Sequence, residues 1–151
     1  MSRIKIEVPG HFVFSANIPI RITDINYGGH VGNDSILSII HEARMLFLKK
    51  YGYEELNMDG AGLIMSDVAI EFKNELFYGD HLKVSVQAGN FSKVAFSIYY
   101  KLEKEITGHE NKIIAMAKTG MVCYDYKMKK VIAIPKSVLS KLNDSEVTVY
   151  T

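Results

Sequence analysis

Between Asp34 and Lys50 the chain carries a helical pattern too apolar for an ordinary surface helix, and this segment most restricts the possible folds. Ile36, Ile39, Ile40, Ala43, Leu46 and Phe47 fall on one broad stripe at three- and four-residue spacing. Leu37 and Leu48 widen it. Asp34, Ser38, His41, Glu42 and Met45 gather on the other side. The spacing therefore predicts a helix largely enclosed by other structure, with one narrow polar seam. Asn33 or Asp34 is the expected N-cap and Gly52 the stop; at 1.5 Å per residue the helix is about 25 Å long.

Strands must supply the enclosure. Phe12 to Arg21, rich in β-branched and aromatic residues, reads as a first strand, with Pro19 indicating an edge or a bulge. A polar, glycine-bearing turn from Thr23 to Asn33 leads into the helix. Four strand patterns follow. In Leu63 to Lys73, Val68, Ile70 and Phe72 alternate with Ala69, Glu71 and Lys73. After the Gly79-Asp80 turn, Leu82, Val84 and Val86 alternate with Lys83, Ser85 and Gln87; after Gly89-Asn90, Val94, Phe96, Ile98 and Tyr100 alternate with Ala95, Ser97 and Tyr99. A polar loop at Thr107 to Asn111 precedes a long strand from Lys112 to Tyr124, where Ala115 and Ala117 leave room for a helix to approach. Pro135 opens a short helix, Lys136 to Leu142. Short loops favour an antiparallel meander. The expectation is an α+β fold: one long central helix wrapped by a curved antiparallel five-stranded sheet, in a single domain spanning residues 1–151. Unpaired sheet edges and apolar outer positions would be satisfied by a second copy of the chain.

Composition excludes several function classes. Eighteen Lys and Arg against 17 Asp and Glu leave a formal net charge of +1, so no broad basic field exists for a nucleic-acid backbone. Cys123, the single cysteine, permits neither an intrachain disulfide nor a multi-thiolate metal site, and its apolar setting predicts a buried structural thiol. No histidine spacing suggests a metal site. His11, His81 and His109 sit at segment edges and read as surface residues. The charged start Met1-Ser2-Arg3-Ile4-Lys5-Ile6-Glu7 is unlike a signal peptide, and no apolar stretch approaches the length of a membrane span. The expected setting is cytoplasmic, without a membrane partner.

The stretch Arg21-Ile22-Thr23-Asp24-Ile25-Asn26-Tyr27-Gly28-Gly29-His30-Val31-Gly32-Asn33 resembles a signature of hotdog-fold acyl-CoA thioesterases, the D-x-D-x-x-G-H-V-x-N pattern of the 4-hydroxybenzoyl-CoA thioesterase-like family. Glu42-Ala43-Arg44, with Phe47-Leu48 beyond, matches that family's E-x-A-R on the helix. Gly79-Asp80-His81-Leu82-Lys83-Val84 is similar to its G-D-x-L-x-V strand opening, and Ile134-Pro135 to its late I-P. Together these motifs run from about Arg21 to Leu142. The resemblance implies a hotdog fold, a homodimer or homotetramer, an acyl-CoA or other acyl thioester substrate, and no cofactor beyond coenzyme A as part of that substrate.

The residues add a physical rationale. Gly28 and Gly29 let the backbone turn sharply before a helix N-terminus, whose free N–H groups favour a developing oxyanion. Backbone amides at Gly29, Gly32 and Asn33 are the candidate donors; the plainer alternative is that these glycines only make a turn. The second acid of the family pattern falls on Asn26, which is neutral and cannot act as a base. Likewise, two successive acids common on the family's helix are here His41 and Glu42.

Three readings follow. Catalysis survives with His41, Glu42 or His30 activating water while Asn26 orients it; or the protein binds an acyl thioester without hydrolysing it; or it performs another reaction, such as hydration, on an acyl-CoA. For His30 and the His41–Glu42 pair a structural or solvated role competes with a site role. Arg44 is expected to be a structural ion-pair partner and Asp24 an anchor for the turn. Lys93, in the Asn90-Phe91-Ser92-Lys93 turn, matches a region where relatives bind CoA phosphates, and the Lys127, Lys129, Lys130 cluster is an alternative; a solvated hairpin lysine is the simpler reading.

Overall fold

A computed structural model describes residues 3–143 and 146–150. In chain order the elements are β1 (Phe14–Pro19), a 3-10 turn (Ile22–Asp24), α1 (Asn33–Lys50), β2 (Gly62–Phe72), β3 (His81–Gly89), β4 (Ala95–Glu105), β5 (Lys112–Asp125), β6 (Lys130–Val131), α2 (Lys136–Leu142) and β7 (Thr148–Tyr150). The strands form one seven-stranded sheet in the order β2-β5-β4-β3-β1-β7, with β6 paired to β5. The pairs are antiparallel except β1 with β7. Five strands were expected. The two extra ones have two and three residues, too few to display a period of two.

Helix α1 begins one residue earlier than its pattern suggests, because Gly32, not Asn33 or Asp34, is the N-cap. No side chain caps this end. The other end closes as a Schellman motif: the Tyr53 N–H donates to the Leu48 carbonyl at 3.0 Å and the Gly52 N–H to that of Lys49 at 3.0 Å. The expected stripe is buried, with Ile40, Ala43 and Phe47 fully enclosed and Leu46 half-buried. Full burial of a side chain such as Ile40 or Phe47 contributes about 1.5–3 kcal/mol.

Cross-strand register puts Phe14, Val86, Tyr100, Ala117 and Ile70 in one row across the sheet, and Ala16, Val84, Leu102, Ala115 and Phe72 in another. Both rows face α1 and are buried as far as β5. On β2 they emerge: Val68 and Phe72 are exposed and Ile70 only half-buried. The cause is width. A helix about 10 Å across covers two or three strands spaced about 4.8 Å apart, not six. Helix α1 lies closest to β1 and β3, so the close approach expected over Ala115 and Ala117 falls elsewhere. Strand β2 is thus an edge with an uncovered apolar face. No helix among the described residues is long and apolar enough to cross a membrane.

Candidate functional site

The turn between β1 and α1 is held by its own polar groups. Asp24 is buried, and its carboxylate accepts the Arg21 N–H at 2.8 Å. Its backbone carbonyl accepts the Gly32 N–H at 3.1 Å, so Asp24 anchors the turn as expected. The Asn26 side-chain oxygen accepts the Gly28 N–H at 2.9 Å, an Asx turn. Gly29 has φ +83°, a left-handed conformation in which a side chain is strained. A Cβ on Gly32 would lie 2.6 Å from the Asp34 carboxylate, so a side chain there would have to displace the exposed Asp34 side chain.

Among the three candidate oxyanion donors, two amides are engaged within the turn. Gly29 donates to the Asn26 carbonyl at 3.1 Å and Gly32 to Asp24. The Asn33 amide makes no hydrogen bond among the described residues and remains an unfilled donor at the start of α1.

His30 lies beside that amide. Its Nδ1 is 3.1 Å from the Val31 carbonyl, which fixes the proton there in the neutral ring and leaves Nε2 as the lone-pair nitrogen. Nε2 is 4.0 Å from a Glu75 carboxylate oxygen. His30, Asn33, Ile36, Phe72, Glu75 and Leu76 line a cavity of about 210 Å³ at the β2 side of the helix N-terminus. Glu75 was not singled out from the sequence: it is one charge in a loop between two strand patterns, with no periodicity or spacing to mark it.

His41 and Glu42 diverge. His41 points toward the β2 side, with Nε2 3.0 Å from the Glu55 carboxylate. The same oxygen accepts the Arg44 Nε–H at 3.1 Å; Arg44 Nη1 donates to the Tyr100 hydroxyl at 3.3 Å, and that hydroxyl is 2.8 Å from Thr119 Oγ1. Burial opposes the Arg44 charge, but Tyr100 and Glu55 outweigh it and raise its pKa above the ordinary value. Burial, which disfavours the phenolate, raises the pKa of Tyr100. Arg44 is therefore the ion-pair anchor expected, and Glu55 is a second carboxylate the sequence did not reveal. Glu42 turns the opposite way, into a cavity of about 290 Å³ with Asn17, Pro19, Ser38 and Tyr150.

Lys93 is exposed in the β3–β4 turn, and its carbonyl accepts the Ile134 N–H at 2.9 Å. Phe72 shares a row with Val84, whereas Lys93 follows the far end of β3, roughly 17 Å of strand away. Within one chain it does not join His30. Lys127, Lys129 and Lys130 form the β5–β6 hairpin, capped by Asp125. Cys123 is fully buried, which pushes its thiol up to about 11. His11, His81 and His109 are exposed. No group of three potential metal ligands occurs among the described residues.

Residues 20–142 match the Thioesterase-like superfamily. The chain belongs to that superfamily. It is 29% identical over 135 residues to a putative esterase of Aquifex aeolicus, covering 88% of this chain and 98% of the relative. It is also 29% identical over 123 residues to a 1,4-dihydroxy-2-naphthoyl-CoA hydrolase of Microcystis aeruginosa, covering 79% and 85%. Among solved structures, a 1,4-dihydroxy-2-naphthoyl-CoA thioesterase from Synechocystis superposes with TM-score 0.77 at 21% identity, over 87% of this chain and 96% of that one. A 4-hydroxybenzoyl-CoA thioesterase, an aspartate-to-asparagine variant complexed with 4-hydroxybenzoyl-CoA, gives 0.76 at 16% identity, over 85% and 96%. These likenesses extend the hotdog architecture to the whole meander.

Proposed function

We propose that the protein hydrolyses an acyl-CoA thioester to the free acid and CoA by activated water, at a site completed between two copies of the chain in the cytoplasm. The observation that carries this reading is the unfilled amide of Asn33, a residue that lines the same cavity as His30, in a chain of the thioesterase superfamily. The Asn33 N–H polarises the thioester carbonyl and holds the oxyanion of the tetrahedral intermediate, the step at which such donors contribute most. His30 Nε2 takes a proton from the attacking water. Asn26 keeps the turn in shape through Gly28. His41 lies on the same side of α1, farther from the turn by about 12 Å of helix, whereas Glu42 faces away.

The uncovered face of β2 supports the partner. A second copy paired antiparallel along β2 would cover Val68, Ile70 and Phe72 and form a dry slot for the acyl group. Antiparallel pairing also brings that copy's Lys93 end toward this chain's His30 end, where CoA phosphates need cations. No cofactor beyond the CoA of the substrate is required. A panel of aliphatic and aromatic acyl-CoA esters tests the reading: thiol release from at least one member is expected, and release from none would sink it.

Asn26 favours a second reading, a module that binds acyl-CoA or an acyl-carrier thioester without turnover, because a neutral amide stands where the family pattern has its second acid. It predicts measurable affinity without thiol release, and turnover gained in Asn26→Asp.

A further inference from the structure

We infer that Glu75 is the catalytic carboxylate of the site, supplied from the β2–β3 loop in place of the acid the turn lacks at Asn26; this rests on the hydrolysis reading above. The loop is docked against the turn by a single short bond, the Val31 N–H to the Leu76 carbonyl at 2.8 Å, and Leu76 is buried beneath it. His30 precedes Val31 and Glu75 precedes Leu76, so one tie sets the separation of both functional side chains. Their facing atoms, Nε2 and Oε1, stand 4.0 Å apart at the mouth of the cavity that Asn33 also lines. Two acceptors at that separation share one water, about 2.8 Å from each with a corner of roughly 90°. Phe72 and Ile114 form the apolar wall opposite.

In the reaction, Glu75 orients and polarises the water through one hydrogen while the other passes to His30 Nε2. The water oxygen bonds to the carbonyl carbon, and the carbonyl π pair moves to the oxygen held by the Asn33 N–H. Collapse of the tetrahedral intermediate breaks the C–S bond and releases CoA thiolate. The His30 imidazolium, stabilised by the Glu75 charge, returns its proton to that sulfur. One water and one thioester give one acid and one thiol.

The test compares wild type, Glu75→Gln and the double variant Glu75→Gln with Asn26→Asp on an acyl-CoA ester that the wild type hydrolyses. Glu75→Gln is expected to lower kcat about 100-fold or more with KM within about 3-fold and Tm unchanged. Asp at position 26, which can still accept the Gly28 N–H, is expected to restore part of kcat. A Glu75→Gln kcat within about 3-fold of wild type overturns the assignment while leaving hydrolysis intact. A double variant no faster than Glu75→Gln overturns the exchange of roles between positions 75 and 26. No thiol release by the wild type brings down the hydrolysis reading and this assignment together.

Discussion

The two long sides of α1 face opposite ends of the same sheet and differ in what the chain leaves unfinished. On the β1 side the edge is partly covered: β7 pairs in parallel with Phe14–Ala16, and Lys50 Nζ donates to the Glu146 carbonyl at 2.7 Å. That side holds Glu42, in a cavity of about 290 Å³ whose lining contains no histidine. On the β2 side the edge is open, the core-facing row emerges at Val68, Ile70 and Phe72, and His30, His41, Glu55 and Glu75 all collect there. Cavity size does not separate the two sides, since a cavity of about 400 Å³ lined by Met45, Lys49 and Tyr53 at the end of α1 exceeds both. Unsatisfied surface and convergent acid–base groups point to the β2 side.

The sharpest way to break this contrast is a charge on the uncovered face. Ile70→Lys is expected to convert a dimer to monomer by light scattering and to lower activity more than 100-fold, since a lysine there loses its solvent on pairing. Retention of the dimer and of full turnover would remove the β2 side from consideration.

Next in size is a comparison of bases across the helix. His30→Ala should lower kcat about 100-fold, within the usual range for a general base, while Glu42→Gln stays within about 3-fold. The reverse order would move the site to the β1 cavity. His41→Ala should show an intermediate loss, because Glu55 holds it on the correct side but beyond the turn.

Stability gives smaller differences. Arg44→Met removes the donor that ties Glu55 to Tyr100 and should cost about 2 kcal/mol in urea denaturation. Deleting residues 146–151 reopens the β1 edge and should cost about 1–2 kcal/mol with activity unchanged, if that side is purely structural. Equal losses of activity in both would erase the distinction between the sides.

Acid should loosen the β2 side first. The Asp59 carboxylate accepts Tyr53 Oη–H at 2.7 Å and Ser137 Oγ–H at 2.7 Å, tying the loop that carries Glu55 to α2. The Ser137 bond, then the Tyr53 bond, lowers the Asp59 pKa, while burial and Asp59 push Tyr53 up to about 12. A carboxylate with a depressed folded pKa adds stability above its unfolded value of about 3.9, which is lost as pH falls through the folded one. Amide exchange at residues 53–61 should therefore rise on acidification relative to β1, and Asp59→Asn should abolish the difference.

Much of the fold was legible because its signals are local. Gly52 ends α1, Pro135 opens α2, and the alternation from Val68 to Tyr124 reports strands directly. Asp24 and Arg44 read correctly as anchors because buried charges need partners. The cap was misplaced because Asn33 and Asp34 resemble caps by type, whereas the backbone bends at Gly32.

By itself the sequence determined that an enclosed helix meets an antiparallel sheet, and that the turn before it lacks a carboxylate at Asn26. Neighbours along the chain control periodicity, turns and termini, so those features needed no tertiary knowledge. Consecutive helix residues diverge by about 100°, but only the tertiary structure decided what each meets: His41 reaches Glu55 on the β2 side and Glu42 lines the cavity beside β1. It alone brought Glu75 to within 4.0 Å of His30, across 45 residues of chain. That separation is set by a loop docking onto a turn, a contact between segments whose sequences carry no mark of each other.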